Sequence, residues 1–370
     1  MNTMLKLEAI NLQELFAALQ ADGYKTIGPT LRDRSIIYDE IISVNELPAG
    51  WTDDQLPGAY RIVKRKDQSY FGFNCPPQSW KRFLYQPVRK LFSIKQNGKT
   101  PEISQATDSH PRYAFIGVRP CELNAILVQD RVFRSGEYAD DDYLAARNEL
   151  FTVVVNCTSA GGNCFCASMK TGPSAEAAFD LALTEVIDEG THYFTVRAGS
   201  EAGAAVIGKV HTEKASTKEC EAAASLIRKA ESTMQKSVGI SGLDELLSQN
   251  LDHPHWDEVA KRCLTCGNCT LVCPTCFCST IDDVTDLAGQ TAERVRRWDS
   301  CFTMEHAKVA GGNFRITPKS RYRQWLTHKF LWWKKQFGVD GCVGCGRCIT
   351  WCPVGIDITA EINSMKNTGA

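Results

Sequence analysis

One spacing constrains this chain more than anything else in it. Cys263-x2-Cys266-x2-Cys269-x3-Cys273-Pro274 is repeated as Cys342-x2-Cys345-x2-Cys348-x3-Cys352-Pro353. Three thiols two residues apart lie on one tight loop, which carries successive sulfurs round one face of an iron–sulfur cube. The fourth thiol opens the next helix and points away from its own loop, so it completes the cluster of the other motif. The chain is therefore expected to bind two [4Fe–4S] clusters. Cys263, Cys266, Cys269 and Cys352 are the expected ligands of the first, and Cys342, Cys345, Cys348 and Cys273 those of the second. Gly267, Gly344 and Gly346 let the backbone approach a cluster closely. Zinc sites use two cysteine pairs with a longer gap between them, which the doubled 2-2-3 spacing does not match.

This is the spacing of bacterial two-cluster ferredoxins, with one departure: residues 274–341 form a long insert between the motifs. Helical patterns at Asp282–Arg296 and Arg323–Phe337 predict a largely helical ferredoxin-like domain over residues 246–370. Cysteine density rises sharply after Asp252, and the boundary is expected near residues 238–252.

The preceding stretch, residues 1–245, reads as an α+β or α/β domain. Ser35–Ile42, Tyr60–Lys64, Tyr113–Val118, Phe151–Asn156 and Tyr193–Arg197 have strand character. Glu122–Val132 and Ala175–Ile187 read as helices, Thr212–Ser237 as a polar surface helix, and Ser241–Asn250 as helical. Met1–Ala21 has apolar residues on one helical face, interrupted by Glu8 and Glu14, unlike a signal peptide or a membrane span. The formal net charge of −1 offers no case for nucleic acid or an anionic membrane. A cytoplasmic protein is the expectation.

Of the 17 cysteines, four more are grouped in this first domain: Cys121, Cys157, Cys164 and Cys166. Cys121 and Cys157 each follow a strand-like run. If those strands are adjacent and parallel, both thiols emerge at one sheet edge. The glycine-rich loop 160–172 could then supply the other two. A third [4Fe–4S] cluster, a zinc site and plain buried thiols all remain open on spacing alone. Cys276, Cys278 and Cys301 lack an evident fourth partner and read as buried thiols near the clusters, with Cys75 and Cys220 unliganded.

Neither G-x-G-x-x-G nor a Walker-type loop occurs, so no flavin or NAD(P) site is predicted on this chain. No acid–base or nucleophile constellation marks a catalytic residue. The basic stretch Arg294–Lys335 reads as a solvated face that offsets nearby clusters or steers an acidic partner. Trp325, Trp332 and Trp333 within it lean towards an interface. His253 and His255 read as capping and packing residues.

Taken together, these segments resemble a known family. HPHWDEVAKRCLTCGNCTLVCPTCFC, RRWDSCF, VAGGNFRITPKSRYRQW and CVGCGRCITWCPVGI, between His253 and Asp357, are similar to the beta subunits of cytosolic NAD(P)-linked nickel–iron sulfhydrogenases. They are more distantly similar to one of the subunits of anaerobic sulfite reductase. FIGVRPCELNAI and VNCTSAGGNCFCASMKTGP continue the likeness more weakly, and the first 100 residues match loosely. The resemblance implies a non-catalytic iron–sulfur electron-transfer subunit, partnered by nickel–iron hydrogenase subunits and a flavin/NAD(P) subunit. The alternative it leaves is a sulfur- or sulfite-reducing subunit of an anaerobic reductase complex. It also implies thiols kept at Cys121, Cys157, Cys164 and Cys166, which favours the third cluster, and at Cys276, Cys278 and Cys301.

Overall fold

Apolar residues that alternate along a strand must be buried on both sides or sort to two faces. In Tyr113–Val118, Ala114 and Ile116 enter one core while Phe115 and Val118 enter another. In Phe151–Val155, Val153 and Val155 go with the first and Val154 with the second. A sheet covered on both faces follows. The computed structural model describes residues 3–97, 100–105, 111–188 and 190–368; Met1 and Asn2 of the opening stretch lie outside these.

Eight strands form the sheet, in the order Glu213–Lys214, Leu5–Glu8, Thr191–Ala198, Leu181–Asp188, Phe151–Val155, Tyr113–Val118, Lys25–Arg32, Ser35–Glu40. The centre is parallel, from Leu181–Asp188 through Phe151–Val155 and Tyr113–Val118 to Lys25–Arg32, and the flanks are antiparallel. Helix Leu12–Ala21 buries Leu12, Leu15, Phe16 and Leu19 on one face. Helices Pro120–Phe133 and Asp141–Asn148 cover the other, burying Leu123, Ile126, Phe133 and Tyr143. The chain is thus a mixed α/β protein.

Two expected helices are strands. Ala175–Ile187 is a loop leading into the central strand Leu181–Asp188, whose first six residues are all buried. With both faces covered, an apolar run is satisfied as a strand whatever its helical periodicity. Asp282–Arg296 is a hairpin, Ser279–Thr285 against Thr291–Trp298, turning through Gly289 at φ +66°. Opposed residues Asp283 and Arg294 pair across it at 2.7 Å. The hairpin extends a four-stranded sheet with Val88–Asn97 and Thr100–Gln105. The insert therefore mixes sheet and helix, where both patterns predict helix. The expected helix at Arg323–Phe337 is present as Pro318–Thr327, a π-helical turn at His328–Trp332, and Trp333–Phe337. Trp325 and Trp333 are core residues, with Trp332 packed beside them, rather than interface anchors.

Among the described residues no helix is long and apolar enough to cross a membrane. Much of the basic stretch is paired within the chain: Arg297 with Asp282, Lys319 with Asp257, Arg323 with Asp252 and Lys334 with Asp244. His255 pairs with Glu361 at 2.7 Å and its backbone N–H donates to His253, so both act in packing and capping.

Candidate iron–sulfur centres

Helix His255–Arg262 ends at Cys263, and Gly267 at φ +77° then starts the short helix Asn268–Leu271 that carries Cys269. The second motif repeats the device, with Gly346 at φ +76° ahead of helix Arg347–Thr350, which carries Cys348. In each case a residue with positive φ reverses the loop so that its thiols converge. None of the cysteines is in a disulfide.

Cys263, Cys266, Cys269 and Cys352 line one cavity, closed by Phe302, Tyr322, Trp325 and Ile356. Cys273, Cys342, Cys345 and Cys348 line a second, with Phe165, Lys329 and Arg347. Cys348 also reaches the wall of the first. Each cavity thus gathers three thiols of one motif and the fourth of the other. Backbone N–H groups point at the sulfurs, from Thr265 to Cys263 at 3.4 Å, Gly344 to Cys342 at 3.5 Å and Ile356 to Cys352 at 3.3 Å. Such N–H···S bonds are what cluster thiolates accept. Among the described residues no three His, Cys, Asp or Glu groups close on the position of a single metal ion; the thiols ring cavities instead. An all-thiol donor set around a pocket, with N–H groups aimed at sulfur, fits a [4Fe–4S] cube.

The second cavity holds a cation that the spacing argument passed over. Lys329 is buried, and its Nζ donates to Cys273 Sγ at 3.1 Å, to Thr275 Oγ1 at 3.3 Å and to the Gly341 carbonyl at 3.2 Å. Burial pushes the Cys342 thiol up to about 12. Thiols in such a pocket ionise when a metal binds them.

The four N-terminal cysteines also come together, at the edge the sequence indicated. Strands Tyr113–Val118 and Phe151–Val155 are adjacent and parallel, so Cys121 and Cys157 leave at the same end. The loop with Cys164 and Cys166 folds back beneath them, and burial followed by the neighbouring thiols raises the pKa of each. A fifth thiol, Cys75, lies 3.6 Å from Cys121. Its place comes from the Phe71–Gln78 segment, which has neither helix nor strand. Two buried arginines flank the group. Arg119 bonds the carbonyls of Phe71 and Phe73 at 2.6 and 2.5 Å and hydrogen-bonds Cys157. Arg347 bonds the Pro76 carbonyl at 2.7 Å and pairs with Glu122, which also accepts from Tyr38 at 2.6 Å and Trp80 at 3.1 Å.

The second and third groups share a wall. Cys345 packs in one apolar cluster with Cys75, Cys121 and Cys166. The Gly344 carbonyl accepts from Phe165 N–H at 2.8 Å, and the Val343 carbonyl from Thr171 at 2.7 Å. A Cβ on Gly344 would lie 2.7 Å from Cys166 Cα, and one on Gly346 would strike the Asn163 carbonyl. These glycines therefore serve the contact with the N-terminal loop as well as their own turn. Cys220 stands apart on helix Thr217–Ser232.

These features define an iron–sulfur protein, and residues 262–356 match the family described as a 4Fe-4S dicluster domain. The chain is 30% identical to the Sulfhydrogenase 2 subunit beta of Pyrococcus furiosus, over 98% of each protein. It belongs to the sulfhydrogenase beta-subunit family, the iron–sulfur, electron-transport proteins of hydrogenases that the sequence resembles. No solved structure gives a significant match.

Proposed function

We propose that this chain is the electron relay of a cytoplasmic nickel–iron hydrogenase of the sulfhydrogenase type, and takes no catalytic part in the hydrogenase reaction itself. It would bind three [4Fe–4S] clusters. Cys263, Cys266, Cys269 and Cys352 hold the first, Cys342, Cys345, Cys348 and Cys273 the second, and Cys121, Cys157, Cys164 and Cys166 the third. The clusters supply one-electron storage at thiolate-bound iron; the chain sets their spacing and potential. On this reading residues 1–245 and 246–370 are two domains, with one station in the first and two in the second, while flavin and NAD(P) sit on a partner subunit.

The observation that carries the proposal is the continuity of the thiol groups. Cys266 and Leu264 at the first cavity are exposed. Cys348 lines both first and second cavities. Cys345 joins the second to the N-terminal group. That is a surface-to-interior series of redox sites with no large gap between neighbours.

Anaerobic purification of the native complex tests it. A nickel–iron large subunit should copurify, together with a flavin subunit, and H2 should bleach the iron–sulfur absorbance of this chain. A sirohaem subunit in place of the nickel–iron one, or clusters that no reductant bleaches, would sink the proposal.

A further inference from the structure

Five thiols remain outside the clusters assigned above, and two of them, Cys278 and Cys301, are joined in series with a histidine and an aspartate. Strand pairing of Ser279 with Trp298 sets Cys278 opposite Asp299, whose N–H donates to the Cys278 carbonyl at 2.9 Å. The chain then turns through Cys301 and returns in the short helix Glu305–Ala307. Asp299 Oδ2 meets His306 Nδ1 at 2.9 Å, and Thr303 holds the other carboxylate oxygen at 2.8 Å. His306 also hydrogen-bonds Cys278, which in turn hydrogen-bonds Cys301. Cys278 is half-buried, Cys301 is buried and His306 is a quarter exposed. Asp–His–thiol is an arrangement that activates a sulfur nucleophile, and a second thiol in contact is what resolves the product.

We propose that Cys278 and Cys301 are a redox-active dithiol that exchanges with the S–S bond of a small organic disulfide and closes to an intramolecular disulfide beside the Cys263 motif. The Cys278 thiolate attacks one sulfur of R–S–S–R, forming Cys278–S–S–R, and the departing thiolate takes the imidazolium proton of His306. Cys301 then gives its proton to His306 and attacks the Cys278 sulfur. The second RS⁻ leaves with that proton, so two RSH are released for one disulfide formed. Return to thiolate, thiol and imidazolium takes two electrons and two protons.

The electrostatics agree with these roles. The Cys301 contact first, then His306, draws the Cys278 thiol down to about 4, and the same thiol raises His306 to about 9. Cys301 is pushed far up, first by Cys278 and then by burial, as suits the protonated partner. Location supplies the reductant. Ser300 Oγ bonds Thr270 Oγ1 of the Cys263 motif at 2.7 Å, and Phe302 lines the first cavity. Cys301 lies between them, where a one-electron iron–sulfur donor would deliver electrons in succession. With Cys278 half-buried and Cys301 buried, a small disulfide is favoured over a protein one.

The test is thiol trapping on the anaerobic holoprotein. It is treated with 2-hydroxyethyl disulfide, blocked with iodoacetamide, digested and mapped by mass spectrometry, with iron counted in the same sample. A Cys278–Cys301 disulfide and two equivalents of 2-mercaptoethanol are expected. C301S should stop at a mixed disulfide on Cys278 with one equivalent released. Both cysteines recovered alkylated in the wild type would overturn the proposal. So would a disulfide that forms only as iron is lost, or a metal equivalent missing from C278S. A native chain that holds no iron would sink the relay reading, while exchange in that chain would leave the dithiol standing.

Discussion

Replacing Lys329 with methionine should lower the potential of the cluster proposed at Cys273, Cys342, Cys345 and Cys348 by roughly 0.1 V. Lys329 Nζ lies 3.1 Å from Cys273 Sγ. An additional metal–sulfur bond of ~2.3 Å puts the charge roughly 5 Å from the nearest iron. With an effective dielectric of ~20, 332/(εr) gives about 3 kcal/mol. At ~59 mV per tenfold change for a one-electron couple, that is on the order of 130 mV. The ammonium is buried, so salt screens it little. It stabilises the more negative, reduced state, hence the sign. Anaerobic redox titration followed by EPR reads the shift, with iron content as the folding control. Lys329→Arg keeps the charge and should titrate within a few tens of millivolts of wild type. Equal shifts in the two variants, or no shift in the methionine variant with iron intact, would refute the electrostatic reasoning.

Other perturbations have equally definite outcomes. Glu122→Gln leaves the buried Arg347 guanidinium without its counter-charge, the pair being 1% and 0% exposed. It should cost about 3–5 kcal/mol in denaturant unfolding, and a loss under about 1 kcal/mol would show the pair to be dispensable. Gly344→Ala forces an alanine to φ +65° and pushes a methyl against Cys166. It should cost at least ~1–2 kcal/mol from the backbone alone and lower iron content, and unchanged iron would argue against that contact. Asp67 is held below the usual carboxylate range by its two hydrogen bonds from Arg65, at 2.6 and 2.7 Å. Its contribution is present above the ordinary carboxylate pKa and is lost as pH falls through the depressed folded value. Because the pair is about one-third exposed, Asp67→Asn should cost under about 1 kcal/mol at neutral pH. The two proteins should converge in thermal unfolding at acid pH.

The cluster motifs were legible because their constraint is local: spacing, glycine and proline all act within about ten residues. The parallel pairing that brings Cys121 and Cys157 to one edge was legible too, since two β-branched or apolar runs each ended at a thiol. What was missed depends on partners distant in sequence. Ala175–Ile187 carries a helical pattern, yet the sheet covers both sides of Leu181–Val186 and takes it as a strand. Asp282–Arg296 pairs with Val88–Asn97, nearly two hundred residues away, and no periodicity reports that. Lys329 reads as one more surface charge until a π-helical turn carries it inward to Cys273. Cys75 reads as a lone thiol until Arg347 anchors its loop through Pro76 and Gln78.

Iron and acid-labile sulfide per chain, measured anaerobically on the wild type and on Cys121→Ser, bear most directly on the proposed three-station relay. Three clusters give about 12 iron atoms, falling to about 8 in the variant while the two motif clusters stay. A wild-type value near 8, with or without stoichiometric zinc, or a Cys121→Ser protein that keeps every iron, would contradict it.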